Sequence, residues 1–339
     1  MDRQIGDTAL GEEIRRAIDS KTKPLGALGQ VEALAEQVAR LQRSVRPRLE
    51  SCELTIFAAD HGIAAAGVSA YPQEVTRQMV LNFLAGGAAS NVFARSFDIA
   101  VRVVDAGVAG APLEDTRLLS RRIGAGTASF RDGPAMSAAE VTRALAEGRA
   151  LGAGAPHVAA AFGEMGIGNT ASAAMLAHKI AGLPLADLTG RGTGLDDAGL
   201  ARKREILKTA ARRTPERLAP KVALAEYGGF EIAMMAGAIL GAAGAGRIVL
   251  VDGFIASAAA LVAEALEPSA RAAFVFAHVS AERGHQALLR WMGAEPLLSL
   301  NMRLGEGTGA LLAWPIVKAA VAMLNEMASF ESAGVSGPA

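Results

Sequence analysis

A single cysteine, Cys52, occurs in the 339 residues. An intrachain disulfide and a cysteine-built zinc site are therefore excluded, and a reducing compartment fits. Charge of one sign is also lacking, since 34 Lys and Arg balance 34 Asp and Glu. Proteins that bind nucleic acid normally carry a basic stripe or surplus, so no such partner is expected. Long apolar runs are missing as well, although 51% of residues are hydrophobic and mean hydropathy is +0.28. The longest uncharged apolar stretch, residues 232–246, is rich in Ala and Gly and falls short of the roughly 20 residues a spanning helix needs. Met1-Asp2-Arg3-Gln4 opens the chain without the apolar region of a secretory signal. A soluble cytoplasmic protein without membrane insertion is expected.

Five short apolar runs are present instead, at 54–60, 99–105, 157–164, 247–252 and 272–278, each ending on an ionisable residue. Glycine follows soon after most of them, as Gly62, Gly107, Gly166 and Gly253. Helical patterns lie between the runs, for example Val75-Met79-Phe83 and Ile232-Ala236-Leu240. Strand–loop–helix repetition predicts an α/β fold with a parallel sheet covered on both faces. Ligands of such sheets sit beyond the carboxyl ends of the strands, where Asp60, Glu164, Asp252 and His278 would fall. The chain ends carry helical periodicity and no strand signal. The expected organisation is a small helical domain from residues 1–50 and 310–339 beside a large α/β domain, 51–309.

Three glycine-bearing segments could carry chemistry. Gly163-Glu-Met-Gly-Ile-Gly-Asn-Thr170 joins a strand to a helix, where backbone amides can hold an anion; a tight turn without a ligand is the other reading. Its spacing is not the dinucleotide fingerprint G-x-G-x-x-G. Thr189-Gly-Arg-Gly-Thr-Gly194 precedes a helix with Asp196 or Asp197 as N-cap and with Arg202, Lys203 and Arg204. Loop amides with a lysine suit a phosphomonoester, while a cationic run more plainly makes a solvated helix face, the better reading for Arg202 and Arg204. For Lys203 both stand. In Arg303-Leu-Gly-Glu-Gly-Thr-Gly309, Glu306 either caps the following helix or, partly withdrawn from water, acts as a general base. Asp60-His61-Gly62 suggests a metal, but no companion ligands lie at suitable spacing, and no metal is expected.

Ordered together, these segments resemble the nicotinate-nucleotide–dimethylbenzimidazole phosphoribosyltransferases, which make the lower-ligand nucleotide of cobalamin. The resemblance runs over nearly the whole chain. It is carried by Lys23-Pro-Leu-Gly-Ala-Leu-Gly29, Ala59-Asp-His-Gly62, residues 67–76, the three glycine segments, Val251-Asp-Gly-Phe254 and His278-Val-Ser280. Residues 111–150 carry little of it. The resemblance implies phosphoribosyl transfer from nicotinate mononucleotide to 5,6-dimethylbenzimidazole, giving α-ribazole 5′-phosphate and nicotinate with inversion at C1′. It implies Glu306 as the base, with Glu164 as a secondary base or orienting group. Ser69, Tyr71, Gln78 and Leu304 would lie near the aromatic bases. Gly166, Ile167, Gly168, Asn169, Gly192, Thr193, Gly194 and Lys203 would hold the phosphate, and Asp252 would face the ribose. A Rossmann-like sheet, a homodimer and no cofactor are also implied. A non-catalytic sensor of aromatic bases or nucleotides and a dinucleotide-dependent oxidoreductase are the alternatives.

Overall fold

A computed structural model describes residues 2–336, with side chains from residue 8 on. Met1 and residues 337–339, counted in the expected helical domain, lie outside the described residues. The five apolar runs become β1 (Cys52–Ala59), β2 (Ala100–Gly107), β4 (Ala159–Met165), β5 (Ile248–Val251) and β6 (Phe274–Phe276), joined by β3 (Leu118–Ser120). The sequence reading lacks β3. Leu-Leu-Ser is too short to show alternation, and its pairing with Val103, Val104 and Asp105 of β2 makes it a strand.

All neighbouring strands pair in parallel, in the order β3-β2-β1-β4-β5-β6. This is the doubly wound order, with its reversal between β1 and β4 opening a crevice at their carboxyl ends. The α/β fold with a covered parallel sheet thus stands.

Strand residues alternate between two apolar cores, as a period of two requires. Leu54, Ile56 and Ala58 share one core with Ala161 and Leu250, whereas Phe57 and Ala59 share the other with Phe162, Val249 and Val251. On the first face lie the helices Gln30–Leu41, Glu74–Ala85, Ala89–Ser96 and Thr308–Glu326. Leu34 and Val38 near the start of the chain meet Val317 and Leu324 near its end within that same core. The helices from the two chain ends therefore pack together and onto the sheet at once. Among the described residues, Thr308–Glu326 alone is long and apolar enough to cross a membrane, yet its Leu311, Trp314 and Val317 are buried against this face.

The second face carries Asn169–Ala181, Phe230–Gly244 and Phe254–Leu266. Behind them, Ala138–Gly154 packs on Phe230–Gly244 with backbones in contact. A Cβ on Gly148, Gly152, Gly237 or Gly241 would overlap main-chain atoms of the opposite helix. Small residues four apart let two helices approach this closely.

Candidate active site

The crevice at the switch point is where the three glycine segments meet. Gly163 lies on β4, and a Cβ there would come 2.5 Å from the carbonyl carbon of Glu306. Only a bare backbone lets the 303–309 segment lie on the strand. That segment turns through Gly305, Glu306 and Gly307, all at positive φ of 86°, 61° and 79°. For glutamate this conformation costs roughly 1–3 kcal/mol, and such strain clusters at functional sites. The segment also reaches the second glycine loop, where Arg303 Nη1 donates to the carbonyl of Gly192 at 3.3 Å. Gly192 in turn stands over the first segment's helix, since a Cβ on it would sit 3.0 Å from Thr170 Oγ1 and 3.4 Å from Lys203 Nζ.

A cavity between these loops is lined by Glu164, Gly166, Ile167, Asn169, Gly192, Thr193, Asp252, Leu304 and Gly305, and by the unassigned Thr170, His278, Ser280, Glu282 and Arg303. Glu164 is the penultimate residue of β4 and is buried, and it accepts a short hydrogen bond from Asn169 Nδ2. Burial, reinforced by Asp252 and Glu231, pushes its carboxyl up to about 8. Asp252 follows β5, where its Oδ1 accepts the Ala310 amide at 3.0 Å and lies 3.6 Å from His278 Nε2. It thereby holds the N-terminus of Thr308–Glu326 while facing the cavity.

Glu306 is not on the wall of this cavity; it stands one residue past Gly305, which is. Its carboxylate is buried, and Oε2 accepts from Ser90 Oγ at 3.3 Å. Burial holds it above the usual carboxylate range, and Asp252 adds to the effect. Its side chain does not cap the helix that follows.

Lys203 settles one open question of the sequence. It is 0% exposed, so the solvated-face reading is wrong for it, while its neighbour Arg202 is exposed and Arg204 half-buried. Lys203 Nζ donates to Thr170 Oγ1 at 2.8 Å, directly behind the cavity wall. Burial pulls its ammonium down to about 8, against the opposing charge of Glu282. Asp196, not Asp197, is the N-cap of this helix, Asp197–Ala211, its carboxylate accepting the Gly199 amide at 2.7 Å.

The remaining candidates divide. Ser69 Oγ is 2.9 Å from Thr193 Oγ1, and the Ala70 amide donates to the same oxygen at 3.2 Å. This contact ties the segment after β1 to the second glycine loop. Tyr71 and Gln78 are exposed and do not line the cavity. Gly194 lies instead in an adjoining groove with Arg191 and Arg204. Of the amides expected to hold an anion, Ile167's already donates to Thr76 Oγ1 at 3.1 Å and Asn169's to the carbonyl of Gly166. Gly168 enters the helix at φ 101°. Asp60 and His61, weighed as metal ligands, have other partners. Asp60 Oδ2 accepts the Ala109 amide at 2.7 Å, and His61 Nε2 lies 2.6 Å from Glu231 Oε1.

Sequence reasoning overlooked Ser90, Thr76, Thr170 and Glu231. Ser90 carries no local pattern, whereas Thr170 and Thr76 end the segments 163–170 and 67–76 and had no role of their own there. Glu231 stands one residue before the apolar stretch 232–246, and an acid opening so apolar a helix was the available signal.

Comparisons with known proteins find relatives over nearly the whole chain. A family model described as "Phosphoribosyltransferase" matches residues 4–335. The chain is 55% identical over 333 residues to a nicotinate-nucleotide–dimethylbenzimidazole phosphoribosyltransferase from Cupriavidus necator, covering 97% of this chain and 96% of that one. It is 56% identical over 339 residues to the protein so named from Ralstonia nicotianae, covering 97% and 95%. Among solved structures, CobT from Thermus thermophilus superimposes with a TM-score of 0.94 at 45% identity, covering 97% of this chain and 100% of that one.

Proposed function

The chain belongs to the nicotinate-nucleotide–dimethylbenzimidazole phosphoribosyltransferase family, and from that premise we propose that it moves the phosphoribosyl group of nicotinate mononucleotide onto 5,6-dimethylbenzimidazole. The observation that carries this reading is the seating of the Glu306 loop on Gly163. It gathers a strained buried carboxylate, a second carboxylate and two glycine loops at one edge of the sheet.

Nicotinate is attached to C1′ through a cationic pyridinium nitrogen. When that bond breaks, the electron pair neutralises the ring nitrogen, so the leaving group needs no acid. The unprotonated benzimidazole nitrogen attacks C1′ from the opposite face, which turns a β-nucleotide into an α-nucleotide. As the new bond forms, the other ring N–H becomes acidic. Glu306 takes that proton, and a carboxylate whose basicity burial has raised is better suited to the step than a solvated one. General-base help of this kind is worth about 10²–10⁴-fold, and holding the two aromatics and C1′ in line supplies much of the rest.

Glu164, held protonated at neutral pH by its burial, serves as a hydrogen-bond donor that orients the donor nucleotide rather than as the base. The phosphate sits against the Gly166–Asn169 turn, on groups other than the occupied Ile167 and Asn169 amides, and against Gly192 and Thr193 of the second loop. Lys203 supplies charge from behind Thr170, and Asp252 faces the ribose. Leu304 on the cavity wall and Ser69, tied to Thr193, lie near the aromatic base; Tyr71 and Gln78, outside the wall, are assigned to the base by the family resemblance alone. We also propose a homodimer, which light scattering on purified protein tests.

Chromatography of a reaction with nicotinate mononucleotide and 5,6-dimethylbenzimidazole decides the function. Equal release of nicotinate and α-ribazole 5′-phosphate is the expected result. Nicotinate without a ribosylated base would mean hydrolysis. Binding of the nucleotide with no product would leave a sensor.

A further inference from the structure

Asp60-His61-Gly62 is the motif that this function leaves unused. His61 is 0% exposed, as is Glu231, and their 2.6 Å contact joins the end of β1 to the first turn of Phe230–Gly244. On its other side His61 Nδ1 lies 3.0 Å from Ser172 Oγ, on the helix that begins at Asn169. One imidazole thus bridges three elements across the switch-point crevice. Glu231 Oε2 has no hydrogen-bond partner. Burying such a pair is expensive, and an apolar filling of the same shape is often as stable or more so. Stability alone does not explain it.

What the pair touches does. A Cβ on Gly166 would lie 3.2 Å from both Glu231 Oε1 and His61 Nε2, and 2.5 Å from the carbonyl of Ala59. A Cβ on Gly168 would lie 3.4 Å from His61 Cβ. The glycine turn rests on this pair with no side chain of its own between them. From the other side Gly229 closes on the imidazole, where a Cβ would come 2.8 Å from Nε2. An imidazole gripped this way has one position, and so does the turn above it.

We propose that His61 and Glu231, with Ser172, are positioning residues that set the height of the Gly166–Asn169 turn, and thereby the fit of the donor's phosphate; this rests on reading that turn as the phosphate site. They touch neither substrate. Through the turn they distinguish a phosphorylated donor from its riboside, whereas the charge of Glu231 also raises the Glu164 carboxyl, an effect that both donors share.

The test compares nicotinate mononucleotide with nicotinate riboside at saturating 5,6-dimethylbenzimidazole. Glu231→Gln keeps the shape and removes the charge. It is expected to cut the preference for the mononucleotide about tenfold, mainly through KM, while kcat/KM for the riboside and KM for the base stay within about threefold. Ser172→Ala, a milder change that decides the matter if Glu231→Gln fails to fold, shifts the preference in the same direction. Equal losses on both donors in Ser172→Ala as well, which changes no charge near Glu164, would make the pair a packing feature and overturn the proposal. Gly168→Val and Lys203→Ala separate the two layers of the argument. If neither alters the preference, the turn is not the phosphate site and the reading beneath the proposal fails with it. If both alter it while Glu231→Gln and Ser172→Ala do not, the positioning role alone is wrong.

Discussion

Glycine does the same geometric work in two regions of this protein, with different consequences. Between Ala138–Gly154 and Phe230–Gly244, Gly148, Gly152, Gly237 and Gly241 bring two backbones together inside an apolar core. At the carboxyl edge of the sheet, Gly163, Gly166 and Gly192 bring backbone against a glutamate loop, a His–Glu pair and the region of a buried lysine. In the first region close approach gains dispersion contacts and nothing else is at stake. In the second it places ionisable groups where water is scarce, and burial raises the carboxyls of Glu164 and Glu306 and lowers the ammonium of Lys203. Crowding the first region should therefore alter stability, whereas crowding or neutralising the second should alter chemistry.

The sharpest attempt to break that contrast is Glu306→Gln. It preserves shape and the Ser90 contact but removes the proton acceptor. Turnover should fall by about 10²–10⁴-fold, with the melting temperature unchanged or raised because a buried charge has gone. Steady-state release of nicotinate measures the first and calorimetry the second. Activity within about threefold of wild type would remove Glu306 from the mechanism and weaken the distinction at its strongest point.

Glu164 gives an effect of intermediate size that depends on pH. Its carboxyl is raised in the folded protein to about 8 from an ordinary 4.5, so between those values the folded state keeps a proton that the unfolded chain releases. Its contribution to stability is complete below about pH 4.5 and is lost as pH rises through 8. Relative to Glu164→Gln, wild type should lose about 2–4 kcal/mol across that window, after allowance for relaxation around a buried group. Urea unfolding of both proteins from pH 5 to 9 reads it directly. Parallel stability curves would show that Glu164 titrates as in water.

Two glycines test the contrast directly. Gly237→Ala should lower stability by about 1–3 kcal/mol through overpacking, and the folded fraction should keep its kcat and KM. Gly163→Ala should lift the 303–309 loop and lower kcat more than tenfold at a similar or smaller loss of stability, because the Cβ meets the backbone of Glu306. Denaturant midpoints and kinetics on the same preparations suffice. Identical profiles for the two variants would erase the difference between the regions.

How far the sequence alone reaches follows the same division. The runs that became β1, β2, β4, β5 and β6 were legible because each is short, apolar and stopped by an ionisable residue. Those stops also put Glu164, Asp252 and His278 at one edge of the sheet. β3 was not legible, since three residues have no period and only pairing with β2 defines it. Nor was the contact of Gly163 with Glu306, because residues far apart in the chain leave no local trace of meeting. The glycine-mediated helix contact escaped for a related reason: it becomes visible only when two helices are known to face each other. Lys203 stood undecided between a solvated face and a ligand, and only its position in the folded helix resolved that.

Lys203 carries the smallest effect and the most specific one. It is fully buried, its ammonium donates to Thr170 Oγ1, and no carboxylate lies within ion-pair distance among the described residues. With its ammonium pulled down from 10.5 to about 8 by burial, its penalty to the stability of the empty enzyme grows as pH falls from 10.5 and is complete below about 8. Lys203→Met fills the same space without the charge. Apo stability at pH 7 should rise by about 1 kcal/mol, since the partner left behind is only a hydroxyl. The donor should bind more weakly by about tenfold, as an uncompensated phosphate would require. Thermal unfolding with and without nicotinate mononucleotide shows both halves in one experiment: the variant melts higher when empty and gains less from the nucleotide. A gain equal to that of wild type would mean that the phosphate never meets this charge, and that Lys203 belongs with Gly237 among the residues that only hold the fold.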